Sequence, residues 1–343
     1  MRISRNNIFE SLNRECPMPS NGSNLRPILS RRGLLAGLTA VVLPLPARAA
    51  GAVDVVATTG MIADTARRIA GDRAEVRALM GPGVDPHAYR QTRSDIAAMT
   101  RADLVLWHGL FLEAQMQDFF ADLARSRNVV AVGEAVPGDL LVAHDDYADK
   151  FDPHVWMDPL LWSHVTSSIA AALTEVDADG AGTYAANLDG FLDELRALAD
   201  YCRDVLLTVP ESARVLVTAH DAFNYFGRAY GFEVTGIQAI STESEAGVRR
   251  ISELVEMLVS RRIGAVFVES SVSDRSVRAL IEGAAAVGHE VRVGGELFSD
   301  AMGPEGSYEG TYLGMIDHNA TVIARALGGA APEAGWSGRL AAS

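Results

Sequence analysis

The chain is organised around Asp152-Pro153-His154-Val155-Trp156-Met157-Asp158-Pro159. This stretch repeats in miniature an earlier one, Gly83-Val84-Asp85-Pro86-His87-Ala88-Tyr89. In each Asp-Pro-His triplet the proline fixes its own φ and favours an extended conformation for the aspartate before it. The histidine therefore follows a rigid turn that fixes the direction of its ring, as a metal ligand requires. A single triplet is also typical of an ordinary turn, so the hypothesis depends on the repetition and on later residues.

Strand and helix signals alternate on the amino-terminal side of this stretch, and we assign residues 50–180 to a first lobe. Such βαβα alternation predicts a parallel sheet covered by helices on both faces. Ligands of these sheets collect beyond the carboxyl ends of strands, where the loop bearing His87 is expected. Thr92 and Asp95 predict a capping pair for the helix after that loop, and a further helix is predicted at 112–125.

A second alternation of strands and helices fills the carboxyl-terminal half. The longest helical pattern in the chain follows a break at Gly180-Ala181-Gly182 and ends at Pro210. We assign residues 181–209 to a connecting helix, 210–330 to a second α/β lobe and 331–343 to a flexible tail.

Two polar residues of the second lobe are predicted at strand ends. His220 directly follows a strand expected at 214–218. Asp300 follows a strand expected at 290–293, after a short loop at 294–299. Read singly, His220 is typical of a hydrogen-bonded core histidine and Asp300 of a capping or loop acid.

Together, His87, His154, His220 and Asp300 form a chemically coherent set. Neutral imidazoles with one carboxylate suit a borderline divalent transition ion, whereas Ca²⁺ prefers mostly oxygen. The predicted fold class is therefore α/β, with two lobes that each contain a mainly parallel sheet flanked by helices. One long helix joins them, and if the lobes face each other, the four residues can converge on the cleft between them.

The first 49 residues are typical of an export signal. Ser30-Arg31-Arg32-Gly33-Leu34-Leu35 is a twin-arginine pattern, followed by a short apolar run and the small-residue site Ala47-Arg48-Ala49. The apolar run is too short to favour a permanent membrane anchor. No cysteine lies at the predicted cleavage site after Ala49, so we do not expect a lipid anchor.

The charge of the mature chain excludes some partners. The full sequence has a formal net charge of −14, and residues 1–49 contribute seven arginines and two acids, so their removal leaves −19. An acidic surface of this kind disfavours nucleic acid and anionic lipid. Cys202 is the one cysteine left after cleavage, which rules out an intramolecular disulfide or a thiolate metal cluster. We interpret Cys202 as a buried apolar residue of the long helix.

The sequence resembles the metal-binding class of periplasmic solute-binding proteins that feed ABC importers, the ZnuA/TroA-like group. The resemblance extends from about Val53 to about Gly328 and is carried by these motifs: Val84-Asp85-Pro86-His87-Ala88-Tyr89, with Thr92 and Asp95; Ala102-Asp103-Leu104-Val105, with Gly109, Leu112 and Glu113; Asp152 to Pro159; Thr218-Ala219-His220-Asp221-Ala222-Phe223, with Tyr225, Phe226, Tyr230 and Gly231; and Gly295-Glu296-Leu297-Phe298-Ser299-Asp300, with Gly310, Thr311 and Tyr312.

This resemblance implies two lobes joined by a rigid helix, with high-affinity binding of one Zn²⁺ or Mn²⁺ at their interface by His87, His154, His220 and Asp300. It further implies a periplasmic protein, which we expect to be a monomer, and delivery of the ion to a permease in the inner membrane. One feature departs from the family pattern. Members devoted to zinc often carry a long histidine-rich loop before the second ligand, whereas the loop at 133–153 offers only His144 among acids such as Asp145 and Asp146. The departure argues against a protein devoted to zinc alone and leaves His144 as a candidate accessory ligand.

Two rival functions are less consistent with the sequence. A secreted zinc hydrolase would also use three histidines in a cleft, but it needs an open position for water and a general base, and the chain has no His-Glu-x-x-His helix. A surface adhesin on the same fold would need an anchor, which we do not find. The remaining histidines are interpreted as structural or solvent-facing: His108, His164, His289 and His318.

Overall fold

A computed structural model describes residues 51–144 and 148–341. The expected export signal at 1–49, and Asp145 and Asp146 of the polar loop, lie outside these residues. Within the described part of the chain, no helix is long and apolar enough to cross a membrane.

Four parallel strands form the sheet of the first lobe, in the order β2-β1-β3-β4. The strands and helices of this lobe are β1 (Val53–Ala57), α1 (Gly60–Ala70), β2 (Ala74–Ala78), α2 (Arg93–Arg101), β3 (Leu104–Trp107), α3 (Gln117–Leu123), β4 (Val129–Ala131) and α4 (Pro159–Val176). Thr92 and Asp95 make the predicted capping box at the start of α2. The helix predicted at 112–125 is wrong in its extent, because residues 114–116 form a separate 3₁₀ turn before α3.

A 26-residue helix, α5 (Ala181–Leu206), connects the lobes. The predicted break at Gly180-Ala181-Gly182 is only a 3₁₀ turn at 178–180, and α5 continues through Gly182. A Cβ on Gly182 would meet nothing within 4 Å, so this glycine lies on an open face of the helix and does not terminate it.

The second lobe contains two parallel strand pairs, β5 with β6 and β7 with β8, and β5 lies beside β7. Its elements are β5 (Val215–Thr218), α6 (Asn224–Tyr230), β6 (Glu233–Gly236), α7 (Val248–Arg261), β7 (Ala265–Glu269), α8 (Arg275–Ala286), β8 (Arg292–Leu297) and α9 (Tyr312–Ala326). The alternating βα pattern and parallel pairing agree with the fold class predicted from the sequence.

The last strand differs from its prediction. We expected a strand at 290–293 followed by a glycine loop, but β8 runs through Gly294 and Gly295 to Leu297. These glycines permit close packing: a Cβ on Gly294 would lie 2.7 Å from Phe267, and one on Gly295 would lie 2.5 Å from Val322. Asp300 consequently follows the strand end much more closely than predicted.

One apolar core extends across both lobes. It includes Val55 of the first sheet, Trp162 of α4, Leu198 of α5, and Phe298 and Tyr312 of the second lobe. The rings of Trp162 and Tyr312 stack at 5.2 Å between centroids. Because this shared core is densely packed, it favours a fixed arrangement of the two lobes.

Residues 331–341, which the sequence assigns to a tail, contact the second lobe. The backbone nitrogens of Trp336 and Ser337 donate to the buried carboxylate of Asp317 on α9. Trp336 also packs against the main core, and the Arg339 guanidinium lies 4.6 Å from the ring centre of Tyr308. The division of the chain at 330 stays a prediction.

Candidate metal centre

Four side chains from separate loops meet between the lobes. His87 lies in the loop after β2, His154 in the loop before α4, His220 directly after β5 and Asp300 after β8. One nitrogen or oxygen atom from each lies within 4.8 Å of the corresponding atom of every other. All four side chains are buried. The structure thus brings together the whole set that the sequence singled out.

The four groups face one another closely, and the contacts of Asp300 with the histidines do not have hydrogen-bond geometry. His154 Nε2 lies 3.4 Å from Asp300 Oδ1, and His220 Nε2 lies 3.2 Å from Asp300 Oδ2. His87 Nε2 lies 3.3 Å from His154 Nε2. His220 Nε2 and both carboxylate oxygens of Asp300 are buried without a hydrogen-bond partner. Unpartnered buried polar atoms are costly, and a cation bound among them would remove that cost.

His154 is oriented by the aspartate of its own triplet. Its Nδ1 donates to Asp152 Oδ1 at 2.7 Å, and its backbone nitrogen donates to the same oxygen at 2.9 Å. Asn224 Nδ2 holds the other oxygen of Asp152 at 3.1 Å. Because Nδ1 of His154 donates to Asp152, its Nε2 is directed into the site as a candidate ligand atom.

His220 is oriented by a residue that sequence reasoning missed. Its Nδ1 lies 2.5 Å from Glu269 Oε2, and its backbone nitrogen donates to Glu269 Oε1 at 2.9 Å. Glu269 is the last residue of β7 and is only 4% exposed. An acid at the carboxyl end of a buried strand is a usable signal for such a role, but its partner lies 49 residues away in sequence.

His87 is held differently from the other two histidines. Asp85 Oδ1 accepts a hydrogen bond from the His87 backbone nitrogen at 2.9 Å, so both Asp-Pro-His triplets form the same turn. Within the described residues, however, no carboxylate accepts a hydrogen bond from the His87 ring. The outer oxygen of Asp85 instead accepts a 2.5 Å bond from the Thr242 hydroxyl, which belongs to the second lobe.

The protonation of the site follows from burial and charge. Burial lowers the pKa of His87 to about 3. Burial also opposes charge on His154, but the carboxylates of Asp152 and Asp300 outweigh it and raise the pKa of His154 to about 9. In the same way, Asp300 and Glu269 hold the pKa of His220 well above its ordinary value. Burial would raise the pKa of Asp300, yet His220 and His154 hold it well below the usual range. The raised pKa values of His154 and His220 favour their protonated forms, so a metal ion that binds here would displace protons.

The other histidines lie outside the cluster. His108 is fully buried and its Nε2 donates to the carbonyl of Pro153 at 2.7 Å, which braces the loop that carries His154. His289 and His318 donate to backbone carbonyls at 2.7 and 2.9 Å. His144 is 7% exposed and lines a cavity of about 210 Å³ together with His87.

Comparison with known proteins gives consistent matches. The family described as "ZnuA: Zinc-uptake complex component A periplasmic" matches residues 55–326. The manganese-binding lipoprotein MntA of Bacillus subtilis (strain 168) is 44% identical over 275 residues, which are 80% of this chain and 90% of MntA. The zinc-binding protein TroA of Treponema pallidum (strain Nichols) is 43% identical over 295 residues, which are 86% of this chain and 95% of TroA. A solved structure of TroA from Treponema pallidum superposes with a TM-score of 0.79 at 44% identity, over 81% of this chain and 99% of TroA.

Proposed function

Because the chain belongs to the ZnuA family of periplasmic zinc-uptake components, we propose that it binds one divalent transition ion, Zn²⁺ or Mn²⁺, for an ABC importer. The protein is a metal-binding component of metal uptake and not an enzyme. Its two most informative relatives are named for different ions, manganese for MntA and zinc for TroA. The family and these relatives give no support to the alternative of a secreted hydrolase.

The observation that carries this proposal is the closed set of four inward-facing ligand atoms. His87, His154, His220 and Asp300 are the proposed ligands, each through one atom of the buried group. Three of the candidate atoms lie on histidine nitrogens and one on a carboxylate, a set that suits Zn²⁺ and also accepts Mn²⁺. Four converging protein ligands are typical of a binding site, whereas a catalytic zinc keeps a position for water.

The family assignment supports our proposals on location and partners. The chain works with a membrane permease and its ATPase, as substrate-binding proteins of ABC importers do. We place the mature protein in the periplasm after removal of residues 1–49, as a monomer. Subtraction of the signal's net +5 from −14 leaves the mature chain with a formal charge of −19, and such an acidic surface attracts cations.

Metal analysis of purified mature protein tests the proposal. We expect one Zn²⁺ or Mn²⁺ per chain after dialysis against either ion, and loss of that ion in His154→Ala. His318→Gln is the matched control, because His318 is bonded to the carbonyl of Glu296 and lies outside the cluster. Wild-type protein that retains neither ion, or equal loss in both variants, would contradict the proposal.

A further inference from the structure

Three of the four proposed ligands have supports that do not involve the loop at 241–243, and Asp152 is itself held from the second lobe by Asn224. Asp152 fixes the ring of His154, and Glu269 fixes the ring of His220. The loop of Asp300 is held at Phe298, whose backbone nitrogen and carbonyl both bond the side chain of Asn319 at 2.9 and 2.7 Å. These contacts make three ligands a preformed set.

His87 is positioned through a contact that crosses the cleft. Asp85 determines the turn that presents His87, and the Thr242 hydroxyl bonds the free oxygen of Asp85 at 2.5 Å. The two residues are 157 positions apart in sequence. The next residue, Glu243, accepts a second cross-cleft bond from Gln115 Nε2 at 2.6 Å. The loop at 241–243 is therefore hydrogen-bonded to the first lobe on the side where His87 lies.

The cavity beside His87 is closed by the same loop. Its lining of first-lobe residues includes His87, Phe111 and Gln115, and Glu243 contributes from the second lobe. Detachment of the loop from Asp85 would widen this cavity and free the turn that carries His87. The other three ligands would keep their supports.

We propose that Thr242 is a positioning residue for metal retention, because its bond to Asp85 holds His87 as the last ligand to close on the ion and the first to leave. The inference rests on the proposed function. It adds to that function a hydrogen bond between the lobes, from Thr242 to Asp85, which we call the latch. Metal then enters a three-ligand site, and His87 completes the coordination when the loop at 241–243 docks. Release begins when the loop at 241–243 detaches from Asp85 and His87 leaves the ion.

Zn²⁺ dissociation from the full mature protein into excess chromogenic chelator tests this latch. Thr242→Val removes the hydroxyl at nearly constant volume, and we expect release about tenfold faster, since a hydrogen bond to a carboxylate contributes about that factor. The association rate should change much less, because the three preformed ligands are untouched. Thr242→Ser restores the hydroxyl and should restore slow release. The same substitution at Thr100, whose hydroxyl donates to Ile96 within α2, is the control and should leave release unchanged.

A double-mutant cycle separates the latch from general destabilisation. Asp85→Ala should itself accelerate release, and Thr242→Val in that background should add nothing, because the hydroxyl acts through Asp85. The latch would be overturned if Thr242→Val released Zn²⁺ at the wild-type rate, or if Thr242→Ser failed to restore slow release. Full additivity of Thr242→Val with Asp85→Ala would overturn it as well. These outcomes leave metal binding by the wild type intact, so they are distinct from failure of the proposed function.

Discussion

The indole nitrogen of Trp156 donates to the backbone carbonyl of Ser299 at 2.8 Å. Trp156 lies two residues after His154, and Ser299 lies immediately before Asp300. A single buried hydrogen bond thus connects the segments that present ligands from opposite lobes. The Tyr312 hydroxyl adds a second contact by donating to the Trp156 carbonyl at 2.8 Å.

Trp156→Phe should weaken both stability and metal affinity. The change keeps an aromatic ring but leaves the buried Ser299 carbonyl without its donor, which costs about 1–3 kcal/mol of unfolding free energy. Urea unfolding of the metal-free protein and a metal titration measure the two effects. Trp162→Phe is the control, since Trp162 Nε1 donates to Thr65 within the first lobe. It should lower stability without changing affinity, and an equal loss of affinity in both variants would contradict this assignment.

Metal binding should release protons and strengthen as pH rises. Only a histidine nitrogen without a proton binds metal, and the pKa of His154 is raised to about 9 while that of His220 lies well above its ordinary value. Affinity should therefore fall as pH drops and should still be increasing between pH 7 and about 9. Calorimetry in buffers of different ionisation enthalpy counts the protons. A flat affinity profile without proton release would argue against a histidine site.

Glu269→Gln should lower metal affinity by about 10–100-fold, the range typical for outer partners of metal-bound histidines. A neutral amide can still accept from His220 Nδ1, but it makes the opposite ring nitrogen a weaker ligand. Glu296→Gln removes a carboxylate from the neighbouring strand, where the Glu296 side chain is exposed, and serves as control. Unchanged binding in Glu269→Gln would show that the contact only stabilises the fold.

Zinc should displace manganese from the wild-type protein at equilibrium. Three nitrogens and one carboxylate favour zinc, since affinities rise from manganese towards copper and remain high at zinc. His220→Glu replaces nitrogen by harder oxygen and should weaken zinc binding much more than manganese binding. Competition titrations of both proteins test this. Equal losses for the two ions would remove His220 from the ligand set, and wild-type retention of manganese against equimolar zinc would show that geometry sets the preference.

The lobes should move little when metal binds. The 26-residue helix α5 is the long connection, and the packed core that includes Trp162 and Tyr312 crosses between the lobes. Opening of the site is thus expected to involve loops such as 241–243. X-ray scattering of metal-free and metal-loaded protein should give nearly superimposable curves. A clear change in radius of gyration would exclude this rigid arrangement.

Local rules in the sequence determined most of the architecture. Proline fixed both Asp-Pro-His turns, alternation of strand and helix patterns gave the α/β class, and Thr92 with Asp95 predicted its capping box correctly. Positions after strand ends indicated His220 and Asp300, because parallel strands direct their carboxyl ends to one edge. The four proposed ligands could therefore be predicted from the sequence alone.

Only the tertiary structure decided which residues support those ligands. Glu269 reaches His220 across 49 positions, Thr242 reaches Asp85 across 157, and Trp156 reaches Ser299 across 143. The path of β8 through Gly294 likewise depends on the ring of Phe267 from the adjacent strand. A propensity rule concerns near neighbours in the chain, whereas these contacts exist because folding brings distant segments within hydrogen-bond reach and excludes water from between them. The sequence named the residues that we propose as metal ligands, and the packing of the lobes determined how firmly each one is held.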